Sequence, residues 1–282
     1  STPSSTLFPY TTLFRSDGQL VSATFTSGSG GVGCSDAYEY RFDGGAWNSY
    51  TPGNNLNTAG HVLVEIQGQR SGCTAGAGCT GTGWATLATW NVNAQPVGPT
   101  LNVKTPNLAA VCDGQLVSAT FTSGSGGVGC SDAYEYRFDG GAWNSYTPGN
   151  NLNTAGHVLV EIQGQRSGCT AGAGCTGTVW ITLATWIINP NPVPVISGPN
   201  DVCPGASGII YSTPFISGHT YSWTVVGAIS YAGENSSTLT VTWPNTCGIG
   251  SVKVTETINI TGCSTSTADF SVSRTDVTVP VW

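Results

Sequence analysis

Ten cysteines, three histidines and a few carboxylates are the residues of this sequence best suited to chemistry. His157 and Glu161 are four positions apart, and the same pair recurs at His61 and Glu65. On a strand, this spacing puts the two side chains on one face about 13 Å apart, too far for an acid–base pair. We interpret them as polar residues of a solvent-facing strand, and we predict that the chain is not an enzyme.

Asp113, Asp132, Glu135 and Asp139 carry the oxygen ligands that calcium prefers in extracellular modules. No DxDxDG loop accompanies them, and ordinary turns and surface positions explain carboxylates of this kind. Asp139 and Gly140 in particular fit a hairpin turn. We predict no cofactor, with calcium as the alternative.

These residues lie in a block that the chain contains twice, from Asp17 to Trp90 and from Asp113 to Trp186. The copies differ at two positions, where Gly83 and Ala85 of the first are replaced by Val179 and Ile181. An offset of 96 residues is the size of a small domain, so the duplication predicts an array of domains. A repeated domain makes a spacer longer and gives a multivalent binder higher avidity. A catalytic site gains little from a second copy beside it.

The repeat spacing predicts a first repeat at residues 17–95, a second repeat at 96–190 and a C-terminal segment at 191–282. Residues 1–16 break the pattern. The stretch from Thr6 to Ser16, TLFPYTTLFRS, resembles a translated sequencing adapter, which predicts a non-native leader in a gene read from environmental DNA. On this interpretation the first repeat lacks its own first strand, and Ser16 stands where the second repeat has Cys112.

The amino-acid composition indicates the fold class and excludes some kinds of binding partner. Gly accounts for 39 of 282 residues, and the rest is rich in β-branched and aromatic residues, a mixture typical of short strands and tight turns. A net charge of −7 with only eight basic residues gives no cationic surface for nucleic acid. No apolar run is long enough to cross a membrane, so we expect no membrane insertion. Ten cysteines in small Gly-rich domains favour disulfides and an extracellular location.

Alternating residues predict strands in the second repeat at 100–104, 116–122, 133–138, 157–165 and 178–188. With AWNSY and a short strand in the loop that follows it, the repeat has about seven strands separated by turns, which predicts three tandem immunoglobulin-like antiparallel β-sandwiches. In the last strand, Val179, Ile181 and Leu183 share one face. If that face is buried, Gly83 and Ala85 make the first repeat the least stable, because each lost methylene costs about 0.8 kcal/mol.

Six tyrosine and tryptophan residues in each repeat are many for so small a domain. We expect them to form the core, while exposed members could stack on a surface glycan or join neighbouring chains. In the second repeat they are Tyr134, Tyr136, Trp143, Tyr146, Trp180 and Trp186.

The C-terminal segment contains, in order, GPNDVCPG from Gly198, YSW from Tyr221, LTVTW from Leu239, VTET from Val254 and a Gly-Cys pair ending at Cys263. This order resembles the PKD-like immunoglobulin-fold domains of very long secreted surface proteins of Bacteroidetes, exported by the type IX pathway. Residues 17–190 are more loosely similar to repeats of gliding-motility adhesins, through YEYRFDGGAWNSYTPG and RSGC. The resemblance implies an extracellular, cell-surface or fibre-forming role without catalytic residues, and Trp223 as a core residue.

An immunoglobulin-like strand order places Cys112 and Cys263 at facing ends of adjacent domains. One consistent scheme pairs Cys203 with Cys247, Cys112 with Cys263, and two of Cys130, Cys169 and Cys175 with each other. The alternative keeps every bond within its own domain, since sequence does not fix connectivity. The candidates in the first repeat are Cys34, Cys73 and Cys79.

The sequence thus predicts a structural or adhesive stalk segment of a large secreted protein, with self-association in a fibre or a surface glycan as partner. The alternatives are an array of carbohydrate-binding modules and the accessory domains of a larger secreted enzyme.

Overall fold

The structure is a computed structural model that describes residues 13–74, 80–170 and 175–275. These residues form strands, bridges and turns, and none of the described residues lies in a helix. The predicted all-β fold of immunoglobulin-like sandwiches is confirmed.

In the first repeat, a five-stranded sheet in the order β1-β7-β6-β3-β4 accompanies a pair formed by β2 and β5. The strands are β1 Leu13–Ser16, β2 Leu20–Val21, β3 Ser35–Phe42, β4 Asn48–Ser49, β5 Leu56–Asn57, β6 Leu63–Ser71 and β7 Ala85–Asn93.

In the second repeat, one sheet has the order β12-β11-β14-β15-β9 and the other the order β13-β10-β8. The strands are β8 Thr100–Thr105, β9 Ala110–Cys112, β10 Leu116–Thr122, β11 Ser131–Phe138, β12 Asn144–Ser145, β13 Leu152–Asn153, β14 Leu159–Ser167 and β15 Ile181–Asn189.

In the C-terminal segment, the sheet β16-β23-β21-β18, with β22 beside β21, accompanies a sheet in the order β17-β20-β19. The strands are β16 Asp201–Val202, β17 Ile209–Ser212, β18 His219–Val226, β19 Ser230–Ala232, β20 Thr238–Thr242, β21 Gly248–Ile258, β22 Ser264–Ser266 and β23 Phe270–Arg274.

The chain divides into two compact units, one of residues 1–102, 121–135 and 163–183 and the other of residues 103–120, 136–162 and 184–282. The first repeat up to residue 95 lies in the first unit and the C-terminal segment in the second, while the second repeat contributes to both. A division into three domains with ends at residues 95 and 190 stays a prediction.

Buried apolar residues alternate with outward-facing polar residues along the strands, and the buried ones form the cores. In β6, Val64 and Ile66 are fully buried, whereas the intervening Glu65 and Gln67 point outward and are half-buried. Successive strand residues face opposite sides of a sheet, so this period of two separates an apolar face from a polar one. Trp223, the expected core tryptophan of the C-terminal segment, is 5% exposed and lies in a cluster with Trp243 and Tyr211.

Leu13–Ser16 forms a strand at the start of the first repeat, while the expectation that this repeat lacks its first strand, the counterpart of Thr100–Thr105, stays a prediction. Strand β1 pairs in parallel with β7, from Leu13 opposite Trp90 to Ser16 opposite Asn93. This is the place that β9 takes beside β15, with Cys112 opposite Asn189. Pairing at a sheet edge uses main-chain groups, which every residue except proline supplies in full. The non-native leader itself stays a prediction, and residues 1–12 lie outside the described residues.

The Pro-rich stretch from Asn189 to Pro194 is more firmly held than a free spacer. Pro192 and Pro194 are buried. The Asn191 side chain donates a hydrogen bond of 2.9 Å to the carbonyl of Asp113. A linker with buried prolines and a fixed side chain loses much of its conformational freedom, so it restricts the movement of the chain at this point.

The expectation of a buried face at Val179 and Ile181 is wrong. Val179 is 76% and Ile181 44% exposed. The buried face of β15 carries Ala184, Trp186 and Ile188 instead, which are 4%, 0% and 5% exposed. The core is filled from this opposite face, so Gly83 and Ala85 give no ground for a weaker first repeat.

Replacing Val179 by Gly and Ile181 by Ala gives the second repeat the residues of the first. We expect the free energy of unfolding to change by less than about 0.5 kcal/mol, because exposed side chains contribute little. Chemical denaturation measures it, with Ile188→Ala on the buried face as a control expected to cost about 2–5 kcal/mol. A loss in the double variant that approaches the control would contradict the exposed placement.

Candidate functional site: the outer face of the repeat sheet

The outer face of the five-stranded sheet in the first repeat is polar. On β3, Tyr38 and Tyr40 pack against the core, so the alternate residues Glu39 and Arg41 point away from it. Arg41 lies opposite Glu65 of β6, and Glu39 lies opposite Gln67. The face therefore consists of rows of polar residues that cross the strands.

Hydrogen bonds and one cation–π contact fix the side chains of these rows. The Arg41 Nε donates to Glu65 Oε2 at 2.7 Å, and its guanidinium lies 4.4 Å from the centre of the Trp47 ring. In the next row, Gln67 Nε2 donates to Glu39 Oε2 at 2.9 Å. These contacts hold the carboxylate of Glu39 in one position before any ligand arrives.

A groove of about 590 Å³, here called the Trp84 groove, runs along one end of this face. Its volume is within the range of small-molecule sites. Trp84, which precedes β7, is 40% exposed and forms one side. The lining residues are Asp36, Ala37, Tyr38, Glu39, Ser49, Tyr50, Thr51, Pro52, Gln69 and Trp84.

Asp36 at the edge of the groove is engaged by the protein. Arg70 Nη1 donates to its Oδ1 at 2.8 Å, and the Gly28 N–H donates to its Oδ2 at 2.7 Å. The Arg70 hydrogen bond, followed by that from Gly28, holds the pKa of Asp36 below its usual range. Asp36 therefore stays ionised at neutral pH and orders the rim.

The second repeat carries the same contacts. Gln163 Nε2 donates to Glu135 Oε2 at 2.9 Å, as Gln67 does to Glu39. Arg137 Nε donates to Glu161 Oε2 at 2.7 Å, and the Arg137 guanidinium lies 4.4 Å from the centre of the Trp143 ring. The rows of the outer face are thus present in duplicate.

The carboxylates considered as calcium ligands bind protein donors in the structure. Asp132 accepts from Arg166, Glu135 from Gln163, and Asp113 from the Gly156 N–H. Among the described ranges, no three His, Cys, Asp or Glu residues are arranged to hold a metal. The expectation of no cofactor, with calcium as the alternative, stays a prediction.

His157 pairs with Asp139 and not with Glu161. Its Nδ1 is 2.7 Å from Asp139 Oδ2, while the N–H groups of Val158 and Leu159 donate to Asp139 Oδ1. The hydrogen bond from His157, then that from Val158, lowers the pKa of Asp139. Asp139 and Gly140 both have positive φ, as the predicted two-residue turn requires, so this aspartate forms the turn and also anchors the next strand.

Three disulfides join described cysteines: Cys34–Cys73, Cys130–Cys169 and Cys112–Cys263. The first two close the same loop in the two repeats. Cys112 ends β9 of the second repeat, and Cys263 precedes β22 in the C-terminal segment, with Cα atoms 5.5 Å apart. This bond ties the two segments covalently within the second compact unit. Disulfides persist in oxidising compartments, which favours a secreted or extracellular location.

The pairing of Cys203 with Cys247 is not among the disulfides of the described residues, and both cysteines are exposed. The residues next to them, Val202 and Gly248, both pair with Arg274. Strand β23 therefore lies between them, and two strand spacings of about 4.8 Å exceed the reach of a disulfide, about 7 Å. Cys175 is half-buried, and Cys79 lies outside the described residues.

The expected aromatic core is formed by some of the six residues only. Tyr146 and Trp186 are 5% and 0% exposed. Tyr134, Tyr136, Trp143 and Trp180 are half-buried. The sequence did not single out Glu39, Gln67 and Gln69, although their alternation with buried residues on β3 and β6 marks them as an outer face.

Comparison with known proteins finds a family match in the C-terminal segment. Residues 189–273 match the PKD-like domain family. The PKD-like segment, as it is called from here, therefore covers strands β16 to β23 up to Ser273. No curated protein matches the chain.

Several solved structures align over most of the chain. The three N-terminal domains of the Hoc outer capsid protein of bacteriophage RB49 are 10% identical, with a TM-score of 0.36 and 94% of this chain and 96% of that chain covered. The chicken CNTN1 FN1-FN3 domains are 9% identical, with a TM-score of 0.28 and coverage of 90% and 99%. The Bacteroides ovatus SGBP-B, in complex with a mixed-linkage heptasaccharide, is 12% identical, with a TM-score of 0.19 and coverage of 98% and 69%. We draw no functional conclusion from these likenesses.

Among the described residues, no helix has the length and hydrophobicity that crossing a membrane would require.

Proposed function

We propose that this chain is a stretch of structural or adhesive stalk in a large secreted surface protein of the kind found in Bacteroidetes. The observation that carries the proposal is the disulfide between Cys112 and Cys263, which ties the second repeat to the PKD-like segment. A covalent tie between neighbouring modules limits bending and keeps them together after a cut in the linker. These are properties that a spacer needs and that a lone binding domain does not.

The nearly identical repeats support the same role. Each repeat brings its own disulfide and its own copy of the outer face. Each added copy of the same module lengthens a spacer and increases the number of weak contacts that it can make. The proposal extends to self-association: such stalks pack side by side in an extracellular filament, and exposed sheet edges form the contacts between them.

Limited proteolysis tests the proposal. We expect a broad-specificity protease to leave the native chain intact between residues 112 and 263 under conditions that cleave the Cys112→Ser/Cys263→Ser variant in the linker at 189–194. Buried prolines and the disulfide restrict the local opening that cleavage needs. Equally rapid cleavage of the native linker would show a flexible string and contradict a stalk.

A further inference from the structure

The Trp84 groove has the composition of a ligand site on an otherwise polar sheet. The Trp84 indole is 40% exposed, and such a ring offers a flat apolar face at the edge of a concave surface. Within the described part of the chain, no hydrogen bond or ring contact involves this indole. An exposed aromatic ring beside a groove can stack on a ligand that has one apolar face.

The groove also contains polar groups with unused hydrogen-bonding capacity. Glu39 uses its Oε2 to accept from Gln67, which orients the carboxylate. Across the described ranges, no hydrogen bond engages Glu39 Oε1, the Ser49 hydroxyl or the Gln69 amide. Together they provide acceptors and donors within one groove, the combination that adjacent hydroxyl groups of a ligand satisfy.

Charge selects among ligands that are rich in hydroxyl groups. Glu39 and Asp36 both line the groove, the Arg70 guanidinium offsets the charge of Asp36 only, and the whole chain has a net charge of −7. An acidic polysaccharide or a phosphate would be repelled by these carboxylates. A neutral sugar ring has one apolar face for Trp84 and hydroxyls for Glu39 and Gln69.

From this combination we propose that the Trp84 groove binds a neutral polysaccharide, with a sugar ring stacked on Trp84 and its hydroxyls bonded to Glu39, Ser49 and Gln69. The inference deepens the adhesive role proposed above by naming the class of ligand. The second repeat carries the equivalent residues Glu135, Ser145, Gln165 and Trp180. Two copies of these residues in one chain would allow a polymer to be bound with avidity even when each contact is weak.

Affinity electrophoresis of the full chain tests this proposal. Native gels contain a soluble β-glucan, a xylan or a galactomannan, with polygalacturonate as the acidic comparison. The variants are Trp84→Ala and Trp84→Ala/Trp180→Ala. The control is Phe215→Ala, which removes a 74% exposed aromatic residue of the PKD-like segment.

We expect at least one neutral polysaccharide to retard the native chain and the Phe215→Ala control, and polygalacturonate to retard neither. Loss of ring stacking should lower the affinity roughly tenfold in Trp84→Ala and further in the double variant. Failure of every neutral polysaccharide to retard the native chain, or equal retardation of the double variant, would overturn the site. Either result would leave the protease resistance of the stalk unaffected, so the two proposals fail separately.

Discussion

Replacing Cys112 and Cys263 by serine should lower the stability of the second repeat and the PKD-like segment more than any other change considered. The bond closes a loop with a sequence separation of 151 residues. Loop-closure entropy predicts a loss of about 5 kcal/mol for a loop of this length, because the unfolded chain regains the freedom that the bond removes. Denaturant titration of the oxidised protein, with the midpoint read for the transition of these segments, measures it.

Cys203→Ser is the matched control for this change. Cys203 is an exposed cysteine of the same PKD-like segment and takes part in none of the described disulfides. We expect its substitution to leave the midpoint within experimental error. A double-serine variant as stable as this control would mean that the bond does not constrain the unfolded chain.

Trp186→Ala should produce the second largest loss. The side chain is fully buried, its Nε1 donates to the Pro106 carbonyl at 3.0 Å, and the Lys104 ammonium lies 4.8 Å from the ring centre. Removing a buried tryptophan typically costs about 3–5 kcal/mol, since a cavity replaces the ring and the carbonyl loses its donor. Chemical denaturation measures the change.

Trp143→Ala is the comparison for Trp186→Ala. Trp143 is half-buried and contacts Arg137 on the outer face. A cation–π contact at such a site contributes about 0.5–1 kcal/mol, so the loss should be several times smaller. Equal losses for the two variants would contradict the placement of Trp186 in the core.

Repeat length and alternation allowed much of the fold to be predicted. The two copies give near-identical strands, as β6 and β14 show with the same residues in the same places. The turn at Asp139 was also readable, because two successive residues with positive φ are typical of an Asp-Gly hairpin.

Which face of each strand is buried could not be predicted from the sequence in the same way. Alternation shows that Val179 and Ile181 share a face, but the opposite face of β15 also carries large apolar residues, Trp186 and Ile188. Which face is covered depends on the other sheet, which is distant in sequence. Apolar content alone therefore assigned the wrong face to the core.

The disulfides show the same limit. The Cys112–Cys263 bond followed from an immunoglobulin-like strand order, and the structure has it. The same reasoning paired Cys203 with Cys247, but pairing of β23 with both β16 and β21 separates the two. The Trp84 groove could not be predicted from the sequence. Glu39, Ser49 and Gln69 lie on three different strands, and only the register of those strands brings the residues together.

Stretching single molecules held at both ends tests the central claim most directly, namely that disulfide-tied β-sandwiches form a stalk that resists extension. The Cys112–Cys263 bond shields the 151-residue separation from the applied force. At about 3.6 Å for each extended residue, the native chain should release roughly 540 Å less length on full unfolding than the Cys112→Ser/Cys263→Ser variant. Equal extension of the two proteins would contradict the account.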